Sequence, residues 1–353
     1  MDTHTHLREI RDRRGISAAA LAKLAGVTRQ TIYAIEAGDY VPNTAVALHL
    51  ARILEVRVEE LFSLDAEPVE DKSVTVEFLT PAHQGQPVQI CRVGNRMIGV
   101  SASPQSIMLP QADAIAIDQT QAQMLPGEEE DPKRLLIAGC DPGISLLAPQ
   151  LDLIPAAANS RQALEWLKQG KVHVAGTHLR DVASGEYNLA AIRQLFPHGS
   201  VKVVTFAIWE QGLVTRPSSP IRGVEDLVNF RIVNREKGAG SRDVLDQRLR
   251  AAGIAHSRIT GYDRIASGHL PAAQAVQEGE ADCCIATRSA ARAFGLQFIP
   301  LAVERYDLVV RRAFATLPPV EMLFDLLNRS ALRRKLEMLA GYDTSHTGAV
   351  LVA

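Results

Sequence analysis

The chain has 353 residues, of which 46% are hydrophobic and 22% are charged, and its formal net charge is −2. This length predicts more than one domain, and the near-neutral charge argues against a protein that coats nucleic acid without sequence preference. No apolar run approaches the roughly 20 residues that span a membrane, and the polar N-terminus has no signal-peptide core. We therefore expect a cytoplasmic protein with no membrane partner.

The most informative stretch comprises residues 26–43. Gly26 suits the left-handed turn that ends a helix, and Thr28 is placed to cap the next helix. In that second helix Ile32 and Ile35 fall on one face and can pack inward, while polar side chains fall on the other face. Two helices joined in this way are typical of a helix-turn-helix, whose second helix enters the major groove of DNA.

The segment from Leu7 to Phe62 resembles the Cro/C1-type (XRE family) helix-turn-helix domains through the pattern that runs from Leu21 to Gly38. The resemblance implies a DNA-binding domain over residues 1–65. Six side chains are then candidates to face DNA, unless they are merely solvated: Thr28, Arg29, Gln30, Thr31, Tyr33 and Asn43. Attraction to phosphates would come from a local basic face comprising Arg8, Arg11, Arg13, Arg14 and Arg29.

Short β-like runs follow the helical segment. They cover Val74–Phe78, Val88–Val93 and Met97–Val100, and Gly94-Asn95 marks a hairpin turn. These runs predict a small β subdomain over residues 66–132, ending in a charged linker. The sequence leaves its role open between a spacer and a dimer contact.

Beyond Lys133, apolar strands alternate with helical stretches, which predicts a mostly parallel α/β fold. Ligands of such sheets gather at the carboxyl ends of the strands, where helix N-termini expose unpaired N–H groups. Three helix starts suit an anion there, although each could be a simple N-cap. They are Asp141 or Ser145, Asn159-Ser160, and Gly238–Arg242 with Ser241.

Residues 133–353 resemble the PBP-like domain that occurs fused to helix-turn-helix domains and is related to periplasmic molybdate- and tungstate-binding proteins. The resemblance rests on Val172–Leu179 with Gly185–Asn188, on Val233–Arg242, and on Phe298–Leu301 with Glu304–Asp307. It implies a two-lobed type II binding-protein fold. The first lobe would cover about 133–205 plus 305–353, the second about 210–300, and the crossovers Val201–Thr215 and Arg305–Arg311.

The same resemblance implies an oxyanion ligand such as molybdate or tungstate, and no cofactor or bound metal. The resemblance implies hydroxyl donors at Ser160, Thr177 and Ser241 and a cationic donor at Arg235 or Arg242. The further candidate ligand-binding residues are Asp141, Ser145, Asn159, His178 and Tyr306. Asp141 would repel a dianion unless it caps its own helix, and His178, Glu304 and Tyr306 could serve a small organic metabolite instead. Arg235 and Glu304 could also pair as a brace between the lobes, and Tyr306 could belong to the core.

The chain is thus expected to be multidomain: an all-α helix-turn-helix head, a small β subdomain and a two-lobed α/β domain. We predict a ligand-responsive transcriptional regulator that binds double-stranded operator DNA as a homodimer. An enzyme or a protein-binding scaffold with a DNA-binding head is the alternative, but the sequence has no H-E-x-x-H, G-x-S-x-G or Walker motif. The four cysteines lack C-x-x-C spacing, and we interpret Cys91, Cys140, Cys283 and Cys284 as reduced core thiols.

Overall fold

The chain folds as two units, Met1–Lys72 and Ser73–Ala353, which we describe separately. The computed structural model describes residues 3–64, 72–102, 109–129, 133–181 and 185–351. The predicted boundary at residues 65–66 and the end of the predicted linker, residues 130–132, lie outside these ranges. None of the described helices is long and apolar enough to cross a membrane.

The first unit is built from short helices and a small sheet. The helices are α1 (Leu7–Arg13), α2 (Ala18–Ala25), α3 (Arg29–Ala37), α4 (Thr44–Leu54) and α5 (Val58–Leu61). In the sheet, β1 (Thr3–Thr5) pairs antiparallel with β2 (Phe62–Leu64). The predicted helix-turn-helix therefore corresponds to α2, the turn after it, and α3.

Side-chain caps and glycines set these helix boundaries as predicted. The side chain of Ser17 accepts an amide of the first turn of α2, and Thr28 accepts the N–H of Thr31. Each cap satisfies an amide that has no partner inside its helix. Gly26 (φ 70°) and Gly38 (φ 81°) end α2 and α3 in the left-handed conformation that other residues rarely adopt.

The inward faces of the helices form one apolar core in this unit. Leu21, Ile32, Ile35 and Leu50 are all at most 1% exposed. Burial of a side chain of this size contributes roughly 1.5–3 kcal/mol. The three-residue spacing of the two isoleucines therefore fixes which face of α3 turns outward.

A buried ion pair ties α1 to α3. The Nε and Nη2 atoms of Arg11 donate to the two carboxylate oxygens of Glu36 at 2.6 and 3.1 Å, and Nη1 donates to the Ile16 carbonyl at 3.0 Å. The Arg11 and Glu36 side chains are 10% and 5% exposed. The prediction that Arg11 belongs to a basic DNA-facing surface is therefore wrong, because its charge is buried against Glu36.

The second unit begins with a curled sheet. Its strands are β3 (Ser73–Thr75), β4 (Glu77–Phe78), β5 (Pro87–Val93), β6 (Arg96–Ser101), β7 (Ala114–Ala116) and β8 (Gln121–Met124), in the order β3-β8-β7-β5-β6-β4. The predicted hairpin between β5 and β6 is confirmed, with Gly94 at φ 62°. The run predicted as one strand instead crosses at Val76 from one edge of the sheet to the other.

This curled sheet shares a core with the α/β region that follows it. Cys91 and Ile98 belong to the same buried cluster as Leu136. Arg134 pairs with Asp113 at 2.6 Å across the same junction. The curled sheet and the start of the α/β region are therefore packed as one body.

A large mixed sheet forms the rest of the second unit. Its strands are β9 (Leu135–Gly139), β10 (Leu153–Ala157), β11 (Val174–Thr177), β12 (Val201–Thr215), β13 (Ile232–Arg235), β14 (Ile265–Ala266), β15 (Cys283–Thr287), β16 (Gln297–Arg311) and β17 (Val350–Leu351). The order is β10-β9-β11-β16-β12-β15-β13-β14, and β17 pairs with β12. Cys283 and Cys284 lie in a buried strand, as predicted.

Helices cover the large sheet. They are α6 (Ser160–Lys168), α7 (Leu189–Leu195), α8 (Gly240–Ala251), α9 (His269–Gln277), α10 (Arg288–Ala293), α11 (Pro318–Leu327) and α12 (Ser330–Lys335). Further 3-10 turns lie at Pro142–Gln150, Val224–Asn229, His256–Arg258 and Arg312–Phe314, and a π-helical turn at Leu336–Ala340.

The sheet is less parallel than predicted. Strands β10, β9 and β11 are parallel to one another, as are β15, β13 and β14. Between these two sets stand β12 and β16, which pair antiparallel along almost their whole lengths. The chain passes from the first set of parallel strands to the second through β12 and returns through β16. These two strands therefore run in opposite directions, which makes the sheet mixed. The predicted crossover Val201–Thr215 coincides with β12, and the crossover Arg305–Arg311 is the end of β16.

We predict that Glu36→Ala lowers the free energy of unfolding of the first unit by about 3 kcal/mol, because it leaves the buried guanidinium of Arg11 without its countercharge. Amide hydrogen exchange of α1–α4 in the full chain measures this. The matched control is Glu9→Ala, which removes the exposed partner of Arg13 and should change the value by less than about 1 kcal/mol. Equal effects of the two substitutions would contradict the structural role of the buried pair.

Candidate functional site

The outer surface of α3 carries the side chains expected to face DNA. Thr28, Arg29, Gln30 and Tyr33 are exposed. The guanidinium of Arg29 donates to the Tyr33 hydroxyl at 2.7 Å and lies over the Tyr33 ring, 5.2 Å from its centre. Gln30 makes no side-chain hydrogen bond within the described part of the chain. Its amide is therefore available to a base edge.

The other predicted DNA-facing residues have capping roles. Besides capping α3, Thr28 lies 2.8 Å from the hydroxyl of Thr31. Asn43 caps α4 by accepting the N–H of Val46 at 3.0 Å. These contacts give Thr28, Thr31 and Asn43 roles within the protein. Arg29 contacts Tyr33 one turn along α3, and Gln30 makes no side-chain hydrogen bond among the described residues.

In the second unit, the candidate site is centred on Trp209, in the middle of β12. Its indole is 1% exposed. Four rings surround it edge-on, with ring centres at 5.0 to 6.1 Å: His178, His269, Tyr306 and Tyr342. His178 follows β11, His269 begins α9 and Tyr306 lies on β16, so the aromatic cluster joins both sets of parallel strands.

Several buried polar atoms around this cluster have no hydrogen-bond partner among the described residues. They are Asp141 Oδ2, Trp209 Nε1, Gln211 Oε1, Arg235 Nη1, Ser241 Oγ and both ring nitrogens of His269. A buried polar atom without a partner costs about 1–3 kcal/mol, and such atoms are rare in folded proteins. Of these residues, Trp209 and His269 belong to the ring cluster itself, Asp141 and Arg235 share a cavity with His269, and Gln211 contacts Glu304 beside His178.

Arg235 is a buried cation next to this cluster, on the cavity that His269 also lines. It ends β13 and is 2% exposed. Its Nε and Nη2 atoms donate to Glu236 at 3.1 and 3.2 Å, which leaves Nη1 unpartnered. The alternative that Arg235 pairs with Glu304 is wrong, because Glu304 accepts from His178 and Gln211 instead.

Asp141 caps the 3-10 turn that follows β9. Its Oδ1 accepts the N–H of Gly143 at 2.7 Å and the hydroxyl of Tyr342. Burial raises the pKa of Asp141 to about 6, although these two donors act to lower it. Asp141 therefore caps its own helical turn, which was one of the alternatives predicted from the sequence. With a pKa of about 6, it becomes protonated in mildly acidic solution.

His178 connects three side chains. Its Nδ1 lies 2.8 Å from Glu304 Oε2, and its Nε2 lies 3.3 Å from Cys140 Sγ. Gln211 donates to the same Glu304 oxygen through Nε2. Burial lowers the pKa of His178, but Cys140 and Glu304 outweigh that effect and raise the pKa to about 10. By contrast, burial and then the charges of Arg235 and His178 hold the pKa of His269 well below its usual value, so His269 is neutral.

Most of the other predicted ligand residues are occupied by contacts within the protein. Ser145 donates to the Pro142 carbonyl, Asn159 caps α6, Ser160 accepts the amide of His178, and Thr177 donates to Asn188. Arg242 donates to the backbone carbonyl of Arg235 and stacks on Tyr262, 4.7 Å from the ring centre. Among the hydroxyls predicted to bind the ligand, that of Ser241 is buried without a hydrogen-bond partner in the described part of the chain.

Tyr306 is fully buried, in line with the alternative that assigned it to the core. Its hydroxyl accepts the amide of Cys140 at 3.3 Å. A Cβ atom at Gly139 or Gly176 would collide with that hydroxyl. The glycines at the ends of β9 and β11 therefore allow the tyrosine ring to lie across both strand ends.

Sequence reasoning missed Trp209, Gln211 and His269. The first two lie in a strand that was read only as a connection between lobes, and His269 begins a helix that had no recognised motif. One signal was present: Gln211 is a polar residue in an otherwise mostly apolar 15-residue strand. A buried amide in such a run needs a partner, and here it contacts Glu304.

Two cavities open on the cluster. One, of about 860 Å³, is lined by Cys140, Asp141, Arg235 and His269 among others. The other, of about 640 Å³, reaches His178 and Glu304 from the side of α8. Both fall in the size range of small-molecule sites.

Family comparisons agree with this architecture. Residues 146–328 match the model of the PBP superfamily domain, and residues 7–61 match a helix-turn-helix model. The protein YvgK of Bacillus subtilis is 29% identical over 248 residues, which are 67% of this chain and 80% of YvgK. The HTH-type transcriptional regulator YgzD of the same organism is 43% identical over 61 residues, 17% of this chain and 92% of YgzD.

Solved structures are similar at lower identity. The regulatory domain of HypT from Salmonella typhimurium, with bromide bound, is 12% identical at a TM-score of 0.42, covering 59% of this chain and 98% of that one. PhnD1 from Prochlorococcus marinus, in complex with methylphosphonate, is 12% identical at a TM-score of 0.41, covering 62% and 92%. From the family matches and the two-unit architecture, the chain belongs to the PBP superfamily and carries, in residues 7–61, the helix-turn-helix domain of HTH-type transcriptional regulators.

Proposed function

We propose that the protein is a cytoplasmic, homodimeric regulator whose affinity for operator DNA depends on a small anion bound around Trp209. The observation that carries this proposal is the cluster of buried, unpartnered donors that includes Arg235 Nη1. The indole of Trp209, the hydroxyl of Ser241 and one nitrogen of His269 add neutral donors. Donors of this kind stabilise an anion without full neutralisation of its charge.

The start of α8 supports an anionic ligand. Ser241 lies in the first turn of this helix, where free amides and the helix dipole favour negative charge. A Cβ atom at Gly240 would meet the ring of His178, so the absence of a side chain lets the helix start approach the cluster. A tetrahedral oxyanion such as molybdate or tungstate presents acceptors in several directions, and this suits donors that converge from different strands.

A small organic acid is the second candidate, and it rests on the two unpartnered acceptors. Gln211 Oε1 and ionised Asp141 Oδ2 can only accept hydrogen bonds. An acid with a hydroxyl or amino group would donate to them, while a simple dianion would require Asp141 to be protonated. The effect of pH on Asp141 therefore bears on the choice between these ligands.

The ligand would act through β12 and β16. Asp141 and His178 follow strands of one parallel set, whereas Arg235, Ser241 and His269 belong to elements of the other. A ligand that contacts both sets stabilises the closed arrangement of the two lobes, with the long strands as the hinge. In a dimer, recognition helices must match half-sites roughly 34 Å apart, so a change in domain orientation alters DNA affinity. Coupling of typically 1–3 kcal/mol would follow.

We predict that a thermal-shift panel of molybdate, tungstate, sulfate, phosphate and small organic acids identifies a stabilising ligand, worth about 2.7 kcal/mol at roughly 100 times its Kd. Arg235→Gln should weaken that ligand about 10- to 100-fold, because it removes a charge-assisted hydrogen bond. Trp209 fluorescence in a Trp166→Phe background measures the affinity. The matched control is Arg231→Gln, an exposed arginine just before β13. Equal affinities of the two variants would contradict the assigned site.

We predict that Asp141 makes the ligand-free protein more stable as the pH falls from about 7.5 to about 5. The pKa of Asp141 is raised in the folded state, so the folded protein binds the proton more tightly than the unfolded chain, and this stability is lost as pH rises through about 6. Relative to wild type, Asp141→Asn should remove about 1.4 kcal/mol of this pH dependence, because pH 5 lies about one unit below the folded-state pKa of about 6. Urea unfolding at each pH measures it.

The control for this measurement is Asp343→Asn. Hydrogen bonds from Ser345 lower the pKa of exposed Asp343, so its contribution has the opposite sign and should be small. If wild type and Asp141→Asn change in parallel between the two pH values, Asp141 does not titrate in this range and a dianionic ligand is disfavoured.

We predict that Gln30→Ala lowers affinity for a selected operator by about 1–3 kcal/mol, the value of one bidentate base contact. The operator is first obtained by repeated selection from a random duplex library. Arg29→Ala should also reduce the salt dependence of binding, since a phosphate or guanine contact is lost. Arg264→Ala, which removes the same charge in the second unit, is the control. Wild-type selectivity in both α3 variants would refute the DNA-facing role of this helix.

A further inference from the structure

Cys140 differs from the other cysteines in its surroundings. It follows β9, is partly exposed, and lines the cavity that also contains Asp141 and Arg235. Cys91, Cys283 and Cys284 are buried. Burial raises the pKa of Cys91 to about 12, and it raises the pKa of the other two buried thiols as well. The interpretation as core thiols is therefore confirmed for these three residues, whereas Cys140 packs against the core but remains partly exposed.

The side chain beside Cys140 is a positioned base. His178 Nε2 lies 3.3 Å from Cys140 Sγ, and the opposite ring nitrogen lies 2.8 Å from Glu304. An ionised carboxylate can only accept a hydrogen bond, so Glu304 favours the tautomer of His178 with its proton on Nδ1. The lone pair of Nε2 then points toward the thiol. Thiol, imidazole and carboxylate in this order are the arrangement that activates a nucleophile.

The carboxylate is itself held in place. Gln211 Nε2 donates to the same Glu304 oxygen, and Glu304 is 4% exposed. Cys140 and Glu304 contact opposite nitrogens of the ring, so they do not converge on one point as the ligands of a single metal ion would.

We propose that Cys140 is an activated thiolate, and that it is a modification site for small peroxides and other soft electrophiles that enter the cavity. The thiolate attacks one peroxide oxygen, forming the S–O bond as the O–O bond breaks. Sulfur loses two electrons and becomes a sulfenic acid, and the peroxide is reduced. The departing hydroxide takes the Nε2 proton of His178 and leaves as water. His178 and Glu304 are positioning residues for this step.

This reactivity does not require the proposed anion. It follows from three side chains and access through the cavity, so it can be measured in ligand-free protein. The two proposals can fail separately. A protein that binds no anion could still react at Cys140, and a protein with an unreactive Cys140 could still bind an anion.

The first measurement is the rate of alkylation of Cys140 by iodoacetamide in the folded full chain, followed by mass spectrometry of the labelled peptide. At about pH 6.5 an ordinary thiol is roughly 1% thiolate. A thiolate held by His178 should react about tenfold faster than the same cysteine in the urea-unfolded chain, after allowance for the lower nucleophilicity of an acidic thiol. Cys140→Ser should abolish the fast label, and Cys91→Ser should leave it unchanged.

The pH profile of this rate separates activation from simple exposure. Glu304→Gln and His178→Gln should move the midpoint of the profile upward by about one pH unit or more while the variants keep their thermal melting transitions. If neither variant folds, the test is a comparison of the pH profile of Cys140 alkylation in the folded wild type with that in the unfolded chain. Identical midpoints would contradict activation. The other ionisable groups that line the cavity are Asp141, Arg235, Glu236 and His269, and the buried Tyr306 hydroxyl contacts the amide of Cys140.

The second measurement is oxidation. Hydrogen peroxide followed by dimedone should mark Cys140 as a sulfenic acid in wild type and in Cys91→Ser, and should leave Cys140→Ser unmarked. A Cys140 that alkylates in the folded chain no faster than in the unfolded one overturns the proposal. So does fast alkylation without a dimedone adduct, because the cavity would then not admit a peroxide to the sulfur.

Discussion

The antiparallel pairing of β12 with β16 is the constraint on which the second unit depends. The two strands pair along most of their 15 residues each, and every other strand of the large sheet extends outward from them. Trp209 and Glu304 are directly opposite one another in this pairing. A shift of one residue would turn these side chains to the other face of the sheet, so the site and the core are fixed by the same hydrogen bonds.

Placing a site on these strands has an energetic consequence. The side chains of β12 are buried for most of its length, and those of β16 are mostly buried from Glu304 onward. The polar atoms among them are removed from water whether or not a ligand is present. Polar atoms without a hydrogen-bond partner destabilise the fold, and the proposed ligand would return that free energy on binding. The cluster is a local departure from complete hydrogen bonding, as expected where structure serves binding rather than stability.

The helical unit was predictable because its signals are local. Caps at Ser17 and Thr28, and glycines at the ends of α2 and α3, act within one turn of the chain. The candidate site was less predictable because its contacts are not local: Cys140, His178 and Glu304 are far apart in sequence. The helix starts were recognised, but whether a hydroxyl such as Ser160 faces a ligand or caps a neighbouring amide depends on the packing of another strand. In the first unit, Arg11 was predicted to face DNA for the same reason, because its partner Glu36 is 25 residues away in sequence.

The proposed anion site and the proposed thiolate would share one cavity and therefore one electrostatic environment. In the reactive state, the thiolate of Cys140 and the imidazolium of His178 cancel each other, so the pair adds no net charge near Arg235. Oxidation consumes both charges, because the sulfur becomes a neutral sulfenic acid and the ring gives up its proton. Net charge is unchanged, yet a cation positioned among the rings around Trp209 is lost. A bound anion interacts with the nearest charges most strongly at low dielectric, so oxidation at Cys140 would change anion affinity through His178 rather than through the overall charge of the cleft.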